Sequence, residues 1–577
     1  MQTATPPLYG QEAGFIVGET SPLEFTFVSS RDLLPPRLEY LVAPGVEERG
    51  VPSSGSTLDQ RVDVLAQVVE VGIDSAILSE SLTYDETLAI LRGAYAPAPK
   101  MYGRARVIGY LAGQTVRAPR CAPSPGSAVY VASDAFLQRF FSLEVDSGVD
   151  VGALINRPEV PVLLDPNGLR RHLAIIAQTG AGKSYLAGKF FESLLELGAT
   201  VLVFDPNSDY VQLRKAAGQE QRSYAAAEKT AFADDIAIFR IPGVQGRRFS
   251  DALVGPTKQF TVRFADLEPD EICELAGISE RATNLRAVVV RACEQLQREG
   301  VDYRPAELIA ALKETGGPAT LSAARGDVTE GERGESTAAD EPPNREELRA
   351  ARKAARYIER LANFAVWGFE NVAVEPLLAP QQLTVFDLAG ADKIVAAYAA
   401  ERVLRDIWQR ALGGRLTHPV FVVLEEAHNL VPADGRTRAS RIINTVAAEG
   451  RKFRVFLTLI TQRPSKISQD ALSQCGSQIV MQLTNPDDQR AVQKASEAIS
   501  AELLADLPGL NKGEAIVLGQ LTRVPVMLAV SGRASAEGGS DVDVVSELRR
   551  AAQAKSTDRA AQSLRAQGAV ARQREEW

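Results

Sequence analysis

The segment Leu173-Ala-Ile-Ile-Ala-Gln-Thr-Gly-Ala-Gly-Lys-Ser-Tyr holds the residues best placed by type and spacing to do chemistry. An apolar run that reads as a buried strand enters a glycine-rich turn and continues into an amphipathic helical pattern, the setting that a Walker A loop requires. Gly180 and Gly182 let the backbone wrap closely, so that its N–H groups can cradle phosphates at a helix N-terminus. The candidate ATP-binding residues are Gln178, Thr179, Gly180, Ala181, Gly182, Lys183, Ser184 and Tyr185. Lys183 would reach the β- and γ-phosphates, and the Ser184 hydroxyl would hold Mg2+. Ala177 stands at the first glycine of the G-x-x-x-x-G-K-[ST] pattern, which the turn tolerates where φ stays negative.

A second group is Phe421-Val-Val-Leu-Glu-Glu-Ala-His-Asn. Apolar residues followed by two acids put both carboxylates at the C-terminal end of a parallel strand, where α/β sheets bind ligands. Glu425 takes the Mg2+-water position, where Asp is commoner, and its longer arm can still hold a metal-bound water. Glu426 is the candidate to orient or activate the attacking water. A further strand, beginning near Arg454, ends at Gln462, whose amide falls beside Glu426 in a sheet of this order. Gln462 can sense the γ-phosphate or position water, or it can simply satisfy loop backbone. Ahead of that strand lies Glu449-Gly-Arg-Lys-Phe. Arg451 is either a finger inserted into a neighbouring subunit's site or a solvated surface arginine, and spacing alone does not choose.

These residues need a scaffold, and the patterning supplies one. From about Asn156, β-branched runs alternate with helical patterns, as in a parallel sheet covered on both faces. The fold class is α/β, a RecA-like P-loop core in two parts, 156–265 and 381–533. Between them, 266–380 reads as a helical insertion, with a polar, Gly- and Ser-rich loop at about 316–344 that lacks an apolar face. Residues 1–155 show short period-2 strands broken by Gly, Pro and Ser, the pattern of a small antiparallel β-barrel. A polar, Ala/Arg-rich tail follows at 534–577.

Composition bounds the class. With 577 residues, 45% hydrophobic and 24% charged, the chain is long enough for several globular units. Its net charge of −9 makes it no basic nucleic-acid coat, though a ring can hide a basic lining behind an acidic exterior. The four cysteines form no C-x-x-C pair, so neither a zinc site nor a disulfide framework is indicated. No run of about 18 apolar residues and no signal-like start occurs, so the expectation is a cytoplasmic protein with no membrane attachment.

With these motifs assembled, the chain resembles the HerA family of DNA-translocating ATPases, within the wider FtsK/HerA group. The matching stretches include Gln178-Thr-Gly-Ala-Gly-Lys-Ser, Asp205-Pro-Asn-Ser-Asp-Tyr, Leu424-Glu-Glu-Ala-His-Asn-Leu, Glu449-Gly-Arg-Lys-Phe, Gln462-Arg-Pro-Ser and Leu507-Pro-Gly-Leu-Asn-Lys-Gly. Their order and spacing together are specific, where Walker A alone is shared by many NTPases. The resemblance covers about residues 13–533 and implies a barrel like the family's HAS-barrel. It implies a homohexameric ring with ATP and Mg2+ between subunits, and it gives Arg451 the trans-acting finger role. It also gives Arg171 an auxiliary nucleotide-contacting role and places Asp205 near the site.

Double-stranded DNA is the implied substrate. The implied partner is a NurA-like nuclease or a defence effector docked on the barrel side. A ring that threads duplex needs basic loops that grip phosphates without reading bases. Arg436, Arg438 and Arg441 are the first candidates, ahead of Arg214 and Lys215. The alternative function is an ATPase scaffold that switches on a partner enzyme without moving DNA.

Overall fold

The structure is a computed structural model that describes residues 9–49, 59–75, 77–92, 99–113, 115–141, 148–218, 229–315, 345–435, 437–496 and 498–539, with six scattered positions beyond. The polar loop expected at 316–344, Arg436 and nearly all of the tail after 539 lie outside the described residues.

The amino-terminal strands are β1 (Tyr9–Val17), β2 (Glu24–Ser29), β3 (Tyr40–Arg49), β4 (Asp59–Asp74), β5 (Lys100–Ala112), β6 (Thr115–Arg117) and β7 (Ala128–Ala132). They run in the order β2-β1-β7-β3-β4-β5-β6, and β2 also pairs with β5. That pairing closes six strands into a barrel with β6 as an extension. Alternate residues such as Phe25 and Phe27 point inward and are buried, as period-2 patterning requires. Helix α1 (Tyr84–Arg92) interrupts the barrel and α2 (Asp134–Phe141) leads out of it.

The second sheet holds β8 (Val149–Leu154), β9 (Arg157–Leu164), β10 (Leu173–Ile176), β11 (Thr200–Asp205), β12 (Ile236–Arg240) and β13 (Lys258–Gln259). The short β14 (Val262–Arg263) and β15 (Trp367–Gly368) pair with each other outside it. The sheet is completed by β16 (Gln382–Asp387), β17 (Val420–Leu424), β18 (Val455–Thr461), β19 (Ser477–Met481), β20 (Glu514–Gly519) and β21 (Val526–Val530). Its order is β13-β12-β16-β11-β17-β18-β10-β19-β20-β21-β8-β9. Pairings from β13 to β19 are parallel, and those from β19 onward are antiparallel. The barrel boundary drawn at 155 therefore moves. β8 carries the same period-2 pattern as the barrel, yet it pairs with β21 on one side and β9 on the other and extends the motor sheet instead.

Continuous apolar runs are explained by burial on both faces. In β17, Val420, Val422 and Leu424 join one core, while Phe421 and Val423 join the core on the opposite face. Each such side chain contributes about 1.5–3 kcal/mol when fully buried. Helix α3 (Lys183–Glu196) follows β10 and packs into the second of these cores. Beyond the short α4 (Asp251–Val254), the insertion supplies α5 (Pro269–Ala276), α6 (Thr283–Arg298), α7 (Pro305–Thr315) and α8 (Arg345–Ala362), all in the first core. Helices α9 (Lys393–Leu412) and α10 (Arg438–Glu449) flank β17.

Past β21 the chain crosses α3 as a strap. Ala534 and Ser535 donate their backbone N–H groups to the Glu192 carboxylate at 2.9 and 2.8 Å, and the buried Arg533 guanidinium lies over Gly188, where any Cβ would collide with it. The part of the tail that begins at 534 is thus bound to the motor. Glu192→Ala should leave Arg533 buried without its counter-charge. The expected cost is about 3–5 kcal/mol, read as a lower unfolding temperature and faster proteolysis near residue 535.

Candidate functional site

Strand register levels the functional residues. Phe204 pairs with Leu424, Leu424 with Leu459, and Thr461 with Ile176, so the loops after β11, β17, β18 and β10 leave the sheet on one edge. Gly180 and Gly182 take φ of 83° and 102°, in the left-handed region that glycine occupies without strain, and Gly182 caps α3. Ala177 is not among the positive-φ residues, so its Cβ does no harm.

Lys183 starts α3 and reaches across to both acids. Its Nζ donates to Glu425 Oε1 and, at 3.0 Å, to Glu426 Oε1. Burial alone would lower the ammonium pKa, but the two carboxylates outweigh it and hold Lys183 above its ordinary value. Burial pushes Glu425 up despite Lys183 and the Tyr210 hydroxyl, which donates to Glu425 Oε2 at 2.7 Å. Glu426 sits at φ 49° directly after β17, a left-handed conformation that costs roughly 1–2 kcal/mol for a residue with a Cβ. Gln462 Nε2 donates to Glu426 Oε1, and the Thr179 hydroxyl donates to Gln462 Oε1. Gln462 thus stands beside Glu426, as its place at the end of β18 predicts. Glu426 Oε2 makes no hydrogen bond, with His428 Nδ1 at 3.3 Å.

The other candidate loop residues brace the site. The Gln178 amide donates to Gln482 Oε1 and accepts from the Thr484 hydroxyl, tying the loop to the segment directly after β19. Tyr185 accepts from the Arg533 backbone N–H at 3.1 Å. Asp205 is buried, its oxygens taken by Asn207 N and Tyr210 N, and burial followed by Asp209 and Asp387 raises its pKa well above normal. It holds its own loop at the carboxyl end of β11, beside Asp209, whose Oδ2 accepts the Ser184 hydroxyl. Arg171 and Arg451 are exposed at the amino ends of β10 and β18, the edge opposite Lys183.

The residues fit a divalent cation. Glu425 and Glu426 are buried against Lys183, with Asp209 half-buried at Ser184. That excess of negative charge, with an unpartnered Glu426 oxygen, would be relieved by a bound metal.

The basic loops fare differently. Arg438 is drawn into a network, donating to Glu401 Oε2 at 2.7 Å and to Glu274, with Glu271 at 3.4 Å. A guanidinium so satisfied is not free for phosphates, which corrects its assignment as a DNA contact. Arg441 is exposed, while Lys215 is buried and Arg214 donates to Pro256 O. Sequence reading also passed over Asp209, Tyr210 and His172. His172 Nδ1 accepts from Leu457 N, and its Nε2 lies 3.0 Å from Ala447 O, joining the start of β10 to β18 and α10. The first two lie inside the quoted Asp205-to-Tyr210 stretch; nothing in the sequence marks His172.

A glycine-rich loop, a lysine on paired acids and an amide beside them on one sheet edge define a P-loop ATP hydrolase. Residues 149–407 match the family model described as the central domain of the helicase HerA. A probable helicase of Methanocaldococcus jannaschii is 29% identical over 439 residues, 74% of this chain and 75% of that protein. The DNA double-strand break repair helicase HerA of Pyrococcus furiosus is 28% identical over 485 residues, 76% of this chain and 80% of that protein. Similarity to HerA helicases thus extends over about three quarters of the chain. Of solved structures, the plasmid coupling protein TrwB with a non-hydrolysable ATP analogue aligns over 71% of this chain and 95% of that chain at 16% identity. Its TM-score of 0.44 is too low to bear on the assignment. Among the described residues no helix is long and apolar enough to cross a membrane.

Two outcomes test this site. Lys183→Ala should lose ATP binding, whereas Glu426→Gln should bind ATP and turn over about 10²–10⁴-fold more slowly, with ordinary turnover removing Glu426 from its role. Burial, against hydrogen bonds to backbone, depresses the His172 pKa to about 4. An unfolded His titrates near ~6.5, so below that pH only the unfolded state takes up the proton. Stability should be insensitive to His172 above about pH 6.5 and fall by about 3 kcal/mol on descent to pH 4. The fall in melting temperature between pH 7 and pH 5 should be smaller in His172→Gln.

Proposed function

We propose that the chain is an ATP-driven DNA translocase working as a homohexameric ring, with each ATP site shared by two protomers. The observation that carries the ring is the placement of Arg451. It precedes β18, a strand of seven residues. At ~3.3 Å per residue, that strand holds Arg451 roughly 20 Å from the phosphate loop of its own protomer. Arg171 stands on the same far edge. Neither can serve its own Lys183, and both are available to a neighbour.

In this reading Lys183 turns from Glu425 and Glu426 to the phosphates, and Arg451 of the adjoining protomer stabilises the charge that develops on them. Ser184 and Glu425 would hold Mg2+, which supplies charge neutralisation on the phosphate oxygens. Glu426 takes the proton of the attacking water while Gln462 fixes its orientation. The Pyrococcus relative's name supports DNA as substrate. A nuclease resembling NurA, or a defence effector, is the proposed partner on the barrel side. Arg441 is the remaining described candidate of the three arginines first chosen for gripping DNA.

Arg451→Ala should bind ATP and hydrolyse it about 10³-fold more slowly. Mixing it with Lys183→Ala, itself inactive, should restore part of the activity, since some interfaces then pair an intact lysine with an intact arginine. A mixture as inactive as its components, or a protein that stays monomeric with ATP, would rule out the shared site.

A further inference from the structure

The loop after β11 presents a carboxylate to the phosphate loop from a fixed position. Asp205 anchors the loop through Asn207 N and Tyr210 N, at 3.0 and 2.9 Å. Ser208, at φ 62°, donates its hydroxyl to Asp387 Oδ1 at 2.7 Å. Tyr210 is held on the other side by Glu425. Asp209 lies between these anchors, and its Oδ2 accepts the Ser184 hydroxyl at 2.9 Å.

The strap covers the same place. Gly538 N donates to Asp209 O at 3.2 Å. A Cβ at Gly539 would come within 2.9 Å of Asp209 Oδ1 and 3.3 Å of Ser184 Cβ. Only glycine lets the chain pass this close, so the crossing confines both side chains.

A serine hydroxyl has one proton to give and two lone pairs to offer. When Asp209 accepts that hydrogen bond, both lone pairs of Ser184 are left for a cation. We propose that Asp209, confined by the Gly538–Gly539 crossing, is a positioning residue that orients the Ser184 hydroxyl as a ligand for the nucleotide's Mg2+. The proposal rests on the ATPase reading of the site. Groups that orient a metal ligand in this way change metal affinity by about 10–100-fold when removed. Asp209 therefore acts on the ion and leaves the nucleotide's own contacts with the phosphate loop alone. The strap makes the carboxyl-terminal segment part of the site, although it enters from beyond the far, antiparallel end of the sheet.

The test measures the affinity of the full chain for the fluorescent nucleotide mant-ADP, in EDTA and across a MgCl2 titration. In the unaltered protein Mg2+ should tighten binding. In Asp209→Ala that tightening should fall about tenfold or more, while affinity in EDTA stays within about twofold. Gly539→Val, which forces a side chain against Asp209 and Ser184, should show the same selective loss and stands in should Asp209→Ala fail to fold. An unchanged Mg2+ response in the variant that folds overturns the proposal. So does an equal loss with and without Mg2+, the mark of a merely structural role. Failure of the unaltered protein to bind mant-ADP under any condition sinks the ATPase reading itself.

Discussion

One buried ammonium facing two buried carboxylates is the constraint around which the motor core is built. Lys183, Glu425 and Glu426 lie in a water-poor setting where charge is costly, and the acids outnumber the base. Such an arrangement needs the remaining lone pairs satisfied by neighbours or by a ligand. Tyr210 and Gln462 take one oxygen of each acid, Glu426 Oε2 is left for a cation, and these neighbours hold Glu426 in its left-handed turn.

The same imbalance makes the site a receptor. A triphosphate offers Lys183 a competing anion, and a divalent ion offers the freed carboxylates a cation. Binding thus exchanges one set of charge pairings for another, so the pocket and its ligands determine each other's protonation.

Much of this was legible in the sequence, for a physical reason. A strand buried on both faces must be apolar throughout, so the polar residue that ends it stands out. Thus Glu425, Glu426 and Gln462 could be placed on one edge from the runs preceding them. Tertiary partners leave no such mark. The pattern of β8 suits a barrel and a sheet edge equally, and only pairing with β21 decides. Arg438 looks like any basic residue at a helix start until α5 and α9 bring Glu271, Glu274 and Glu401 to it. The strap is harder still, because Gly538 and Gly539 read as tail composition and acquire meaning only through a contact with residues far earlier in the chain.

Strand β18 runs between Gln462, directly after its end, and Arg451, in the short turn before its start. A strand hydrogen-bonded on both sides is stiff along its axis, so it behaves as a push rod between two pockets. In the proposed ring, a shift caused at Gln462 by ligand would travel along this strand toward the turn that carries Arg451. Repeated around a closed circle, six such rods would form a relay without a first member, in which each firing is prepared by the one beside it.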